Sequence, residues 1–110
     1  MAALIIPIPD IARDTGNARF RVRLDGREYH VRLMLNTRSG QWILDLYDVD
    51  RVAIVTGVAL VPWWPLLSLV TDERRPPGEL LLYNPDGSHE PPTLTDLGLR
   101  SRLVYYEAAA

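Results

Sequence analysis

His30 and His89 are the only imidazoles in the chain, so a neutral-pH general base or a nitrogen-ligated metal would have to draw on them. Neither has a nucleophile or a further ligand at motif spacing. His30 falls on the polar side of an alternating run, beside Arg21 and Tyr47, and His89 lies in the polar stretch Asp86 to Pro92. Both read as surface histidines. Asp45, Asp48 and Asp50 place three carboxylates around a turn. The stretch Asp45-Leu46-Tyr47-Asp48-Val49-Asp50-Arg51 nevertheless lacks the central Gly and the late Glu of a calcium loop. Aspartates so placed bond the backbone of their own turn. Gly-rich phosphate loops and serine nucleophile elbows are absent, and with no Cys the chain has no disulfide, thiolate nucleophile or thiolate-bound metal. The expectation is a protein without catalytic, cofactor-binding or metal-binding residues.

Arg19, Arg21, Arg23 and Arg32 form one basic stripe. All 12 cations of the chain are Arg, set against 14 carboxylates for a net charge of -2. Such a balance makes no broad cationic field for nucleic acid or an anionic membrane. Strand pairing puts Arg23 opposite Glu28 and Arg32 opposite Asp45, so part of the stripe is paired across strands, and it reads as a solvated or interface Arg ladder in preference to a phosphate-binding face. Trp63-Trp64, between Pro62 and Pro65, is the most unusual local feature. Successive side chains of an extended segment face opposite ways, so one indole is expected in the core and the other outside. An interface role for the pair and a core plug beneath a barrel end stand side by side.

The elements that must position these residues are strands. Pro and Gly interrupt every long helical period, while short alternating runs recur about every ten residues. Asp25-Gly26 predicts a two-residue hairpin turn, with Val22 opposite Tyr29 and Phe20 opposite Val31. After Thr37-Arg38-Ser39-Gly40, the same logic sets Leu35 against Trp42, Leu33 against Leu44 and Val31 against Leu46. Phe20, Val22, Val31, Leu33, Leu35, Trp42, Leu44 and Leu46 are therefore predicted to line one core face.

Val52 to Val61 reads as a strand either buried on both sides or bent at Gly57, and Leu66 to Val70 as a short helical turn or another strand. Thr71 to Gly78 reads as an exposed loop, Glu79 to Asn84 as a strand, Pro85 to Pro92 as a polar turn, Thr95 to Gly98 as a tight turn and Arg102 to Glu107 as a last strand. Ala108 to Ala110 is expected to fray. A single all-β domain over residues 1–110 follows, a small antiparallel barrel or sandwich of about six to eight strands.

Met1 to Ile11 is apolar but has no cationic start, and Pro7 and Pro9 break it, so it predicts an extended segment and not a signal or membrane helix. Leu4, Ile5, Ile6 and Ile8 would be costly to leave in water. They form either the first strand of the chain's own sheet or an arm added to a neighbour, and the prolines favour an edge position.

The order of segments resembles a known family. The opening Met1 to Pro9, Leu33-Met34-Leu35-Asn36, Trp42 to Asp48, Leu60-Val61, Asp96-Leu97-Gly98 and Leu103-Val104-Tyr105-Tyr106 together look like the small baseplate plug proteins of contractile-tailed bacteriophages of cyanophage type. The chain departs from that pattern at Pro62-Trp63-Trp64-Pro65, where the resemblance leads one to expect a Gly or small polar residue. It implies a structural, non-enzymatic virion protein of the tail baseplate, made in the host cytoplasm. Its implied contacts are hub, tail-tube or spike proteins near the tail axis, with self-association in the assembled tail. The interface candidates are Leu4, Ile5, Ile6, Ile8, Trp63 and Trp64. A different class of function, a free-standing carbohydrate- or ligand-binding barrel, would use Trp63, Trp64 and Tyr47 as stacking surfaces.

Overall fold

The computed structural model describes residues 3–68 and 70–107. Among the described residues seven strands and one short helix follow one another: β1 (Ala3–Ile6), α1 (Asp10–Thr15), β2 (Asn17–Leu24), β3 (Arg27–Asn36), β4 (Gln41–Tyr47), β5 (Ala53–Ala59), β6 (Glu79–Tyr83) and β7 (Arg102–Tyr106). They make two antiparallel sheets, one ordered β2-β3-β4-β5 and the other β1-β7-β6. The sheets do not close into a barrel.

Both predicted hairpin registers are present. Phe20 faces Val31, Val22 faces Tyr29 and Leu24 faces Arg27; Val31, Leu33 and Leu35 face Leu46, Leu44 and Trp42. Asp25 takes φ 51 and Gly26 φ 79, two successive positive values that match the right-handed twist of the strands they join. The turn at the other end of β3 is held by Asn36, whose Oδ1 accepts from the N–H groups of Arg38 and Ser39.

One apolar cluster draws on both sheets. Tyr29, Val31, Leu33, Trp42, Leu44 and Leu46 meet Ile6, Leu80, Leu82, Leu103 and Tyr105 within it. Phe20, Val22 and Leu35 belong to the predicted face but are only half-buried. The reason is position: β2 is an edge strand with one neighbour, and Leu35 stands near the end of β3. The Trp42 indole N–H donates to the Thr93 carbonyl at 2.9 Å, so the largest core ring is also hydrogen-bonded to the loop that precedes β7.

Several expectations are corrected. Asp10–Thr15 is a helix that begins inside the stretch read as extended, Met1 to Ile11, and runs four residues beyond it. Asp10 sits in its first turn, where a carboxylate is favoured, and Gly16 in the left-handed conformation ends it. Six residues are too few for a periodic signal. Of the two readings of Val52 to Val61, burial on both faces fails, because Ile54 alone of β5 is buried, and the bend holds; β5 is an edge strand. It is bent at Gly57, whose φ of 74 coincides with a register shift against β4 between Leu44 and Leu46.

Leu66 to Ser68 form a turn, and Leu69 lies outside the described residues. The stretch from Thr71 to Gly78 is only partly exposed: Pro76 and Gly78 are buried, and Arg74 and Arg75 half-buried. Glu79–Tyr83 and Arg102–Tyr106 are strands, as read, and the predicted fraying of Ala108 to Ala110 falls outside the described residues.

Of the two fates open to the N-terminal segment, the structure shows the first. β1 pairs with β7 as an edge strand, Leu4 against Tyr105 and Ile6 against Leu103.

Candidate assembly surfaces

The residues from Pro62 to Leu66 run along the free edge of β6. Pro62 bridges Leu82 in the parallel sense, Trp63 N–H donates to Leu82 O at 3.0 Å, and Leu66 N–H donates to Leu80 O at 2.9 Å. Trp63 has φ 66, a left-handed conformation that a bulky residue adopts only when its surroundings hold it there. Two contacts do so. The indole N–H donates to Ser88 O at 2.9 Å, and the ring stands edge-to-face on Tyr83 with centroids 5.2 Å apart.

The positive φ also breaks the alternation on which the expectation of one inward indole rested. Trp63 is 37% and Trp64 54% exposed, and neither fills the core, which Leu60, Leu66 and Leu67 occupy around this loop. The core-plug alternative is thereby excluded. Trp64 forms one wall of an apolar cleft of about 690 Å³ whose other sides include Ile54, Val58, Val61, Leu66 and Val70. The cleft lies against β5, an edge strand.

Of the N-terminal candidates, Ile6 is spent on the core at 2% exposure and Ile8 packs against it. Leu4 and Ile5 remain exposed. Ile5 pairs with Val104, which pairs in turn with Leu81, so an apolar row crosses the outer face of the three-stranded sheet. Trp63 stands on Tyr83 of the same sheet. Tyr47 lines a concavity on the other sheet, so the three aromatics proposed as one stacking surface are not gathered.

The loop around the cleft is held by arginines whose role was not legible in sequence. The Arg74 guanidinium reaches Asp72 Oδ2 at 2.6 Å, Asp48 Oδ2 at 3.0 Å and the Ala53 carbonyl at 2.9 Å. Arg75 donates instead to the carbonyls of Leu67, Pro76 and Gly78. Two adjacent arginines thus hold the loop through two different sets of partners. The side-chain bond from Arg74, aided by the Arg74 backbone N–H, lowers the Asp72 carboxyl to about 2. Asp48 is also lowered, first by the Val52 N–H and further by the Asp50 N–H and Arg74.

Both carboxylates have folded values below their ordinary ones, so they support the fold above about pH 4 and lose that support as pH falls from about 4 towards 2. Asp72→Asn is therefore expected to be less stable at neutral pH and to show a shallower loss of stability over that acid range. Urea midpoints at pH 7, 4 and 2.5 check this, and parallel pH curves for the two proteins would exclude it.

The basic stripe is in the expected register but paired differently. Glu28 bonds Arg21, diagonally, at 3.2 Å, while Arg23 donates to the Gly26 carbonyl. Asp45 faces Arg32 in register, yet its Oδ1 accepts from the Gly57 N–H at 2.8 Å and its Oδ2 from the Tyr47 hydroxyl at 3.4 Å. The β5 bend captures this carboxylate, and so the expected Arg23–Glu28 and Arg32–Asp45 pairs are not formed. Asp48 does close its own turn, accepting from the N–H groups of Asp50 and Val52. His30 is half-buried on the outer face of β3 and His89 is exposed. Among the described residues no group of three or more His, Asp or Glu side chains is placed to hold a metal ion, and no helix is long and apolar enough to cross a membrane.

A family model described as cyanophage baseplate Pam3 plug gp18 matches residues 4–108. No curated protein matches the chain.

Proposed function

Because this chain belongs to the cyanophage baseplate plug family, we propose that it is a structural, non-enzymatic component of a contractile tail baseplate. In this reading it is made in the host cytoplasm, assembles into the virion in more than one copy, and seats against hub, tail-tube or spike proteins near the tail axis. The observation that supports a docking role is the Trp63-Trp64 loop. Trp63 is held rigidly by Ser88 and Tyr83, and Trp64 stands 54% exposed at the rim of an apolar cleft. An aromatic side chain fixed before binding gives up little freedom on docking, which is the character of residues that dominate interface energetics. Ile5, 55% exposed in β1 of the sheet that also contains Tyr83, supplies a second exposed apolar side chain.

Trp64→Ala tests the reading, since this ring makes no hydrogen bond to the fold among the described residues. Removing a central aromatic anchor costs about 2 kcal/mol or more in an interface, roughly thirtyfold in affinity. The variant is expected to melt close to the parent and to be depleted at least about tenfold from purified tails, as quantified by mass spectrometry. Infective tails assembled without the protein, or carrying the variant at the parent level, would contradict the proposal.

A further inference from the structure

We infer that the outer face of β2, β3 and β4 carries an anion-binding pocket that takes an acidic segment of a partner protein. A concavity of about 430 Å³ is lined there by Arg19, Arg21, Arg32, Arg51, His30 and Tyr47. Four arginines line it, beside the apolar Phe20 and Val31, and no Asp or Glu does. The acids that the register places on this face are already engaged, Glu28 with Arg21 and Asp45 with the Gly57 N–H. Arg32 carries the argument furthest. Its Nε is buried without a hydrogen-bond partner among the described residues, and its Nη2 reaches only the Met34 sulfur, at 3.6 Å. A buried Nε–H that lacks an acceptor is unfavourable until an oxyanion reaching this edge of the guanidinium supplies one. The planar fork of Arg fits a carboxylate with two parallel bonds.

The occupant follows from extent and charge. The concavity sits near the low end of pockets that take small ligands or a few side chains, roughly 300–1,000 Å³. A nucleic-acid backbone needs a continued cationic track, and this chain has a net charge of -2. A short run of Asp or Glu on a neighbouring protein matches both the size and the sign. The inference rests on the docking role proposed above and adds the chemistry of one contact.

The test uses the isolated full chain, labelled with nitrogen-15 and titrated at low ionic strength with four probes: an end-blocked hexaglutamate peptide, its hexaglutamine counterpart, inorganic phosphate and single-stranded oligothymidylate. Saturable shifts of the Arg32 Nε–H resonance with hexaglutamate, and not with hexaglutamine, are expected. Arg32→Gln should weaken that binding at least about tenfold, read at the Arg19 and Arg21 resonances. Arg19→Gln, whose side chain is exposed, is the second variant and keeps the test decisive if Arg32→Gln fails to fold. Absence of saturable shifts, an equal response to hexaglutamine, or unchanged affinity in the folded variants would overturn the inference. Tighter binding of phosphate or of oligothymidylate would overturn the choice of occupant. Because these readouts need no tail, failure here beside normal incorporation into tails refutes the pocket and leaves the baseplate reading standing. Saturable peptide binding beside tails that never contain the protein refutes the baseplate reading alone.

Discussion

Leu33→Ala and Leu44→Ala are each expected to lower the unfolding free energy by about 2–5 kcal/mol. Both side chains are 0% exposed and stand directly opposite one another on β3 and β4. Truncating either one forfeits the transfer free energy of the lost methyl groups and leaves a cavity walled by strands that cannot collapse freely. The walls are stiff because both β3 and β4 have a hydrogen-bonded neighbour on each side. Leu35, in the same predicted face but half-buried near the strand end, should cost less. Urea denaturation of the three variants gives the ranking, and a loss below about 0.5 kcal/mol at both Leu33 and Leu44 is incompatible with this register. Since the two leucines share one cavity, the double variant should depart measurably from the sum of the singles.

The second large effect is expected at Gly78, just before β6. A Cβ added there would lie 2.6 Å from the Tyr105 hydroxyl and inside the van der Waals contact distance of the Tyr106 carbonyl oxygen. A backbone carbonyl of a paired strand cannot rotate aside, so the chain before β6 must move away from β7. That movement also breaks the bond from the Gly78 N–H to the Tyr105 hydroxyl, 2.6 Å long and buried. The same hydroxyl donates to Asp25, tying the turn between β2 and β3 to the other sheet. Overpacking together with a lost buried hydrogen bond predicts a destabilisation of about 3 kcal/mol for Gly78→Ala. Tyr105→Phe isolates the bonding part at about 1–2 kcal/mol, because the ring remains and only the hydroxyl is lost. Equal losses for the two variants would show that the close approach itself carries little.

The hairpins were legible because each strand carries its own test. Alternation with a period of two means that a wrong register sends every apolar residue to the wrong face, and Asp25-Gly26 together with Thr37 to Gly40 allowed only one arrangement of Phe20 to Leu46. The short helix was not legible, since six residues produce no period, although Asp10 and Gly16 are recognisable helix boundaries once the helix is known. Arg74 and Arg75 resembled solvated loop cations for a similar reason. Their partners Asp48, Ala53 and Leu67 are distant or unremarkable in the chain, and only the folded loop brings them within reach.

By itself the sequence determined the fold class, the pairing of β2, β3 and β4, the absence of thiol chemistry, and an order of segments that resembles the family to which the chain belongs. All of these depend on local alternation, turn chemistry, residue inventory or order along the chain. The tertiary structure alone decided that the sheets stay open, that β1 pairs with β7, that both indoles of Trp63-Trp64 face outward and that Asp45 turns from Arg32 to Gly57. Each of these outcomes is a competition between partners far apart in sequence. It is settled by which surface or donor comes within contact distance once the two sheets have packed, and no spacing along the chain encodes that distance.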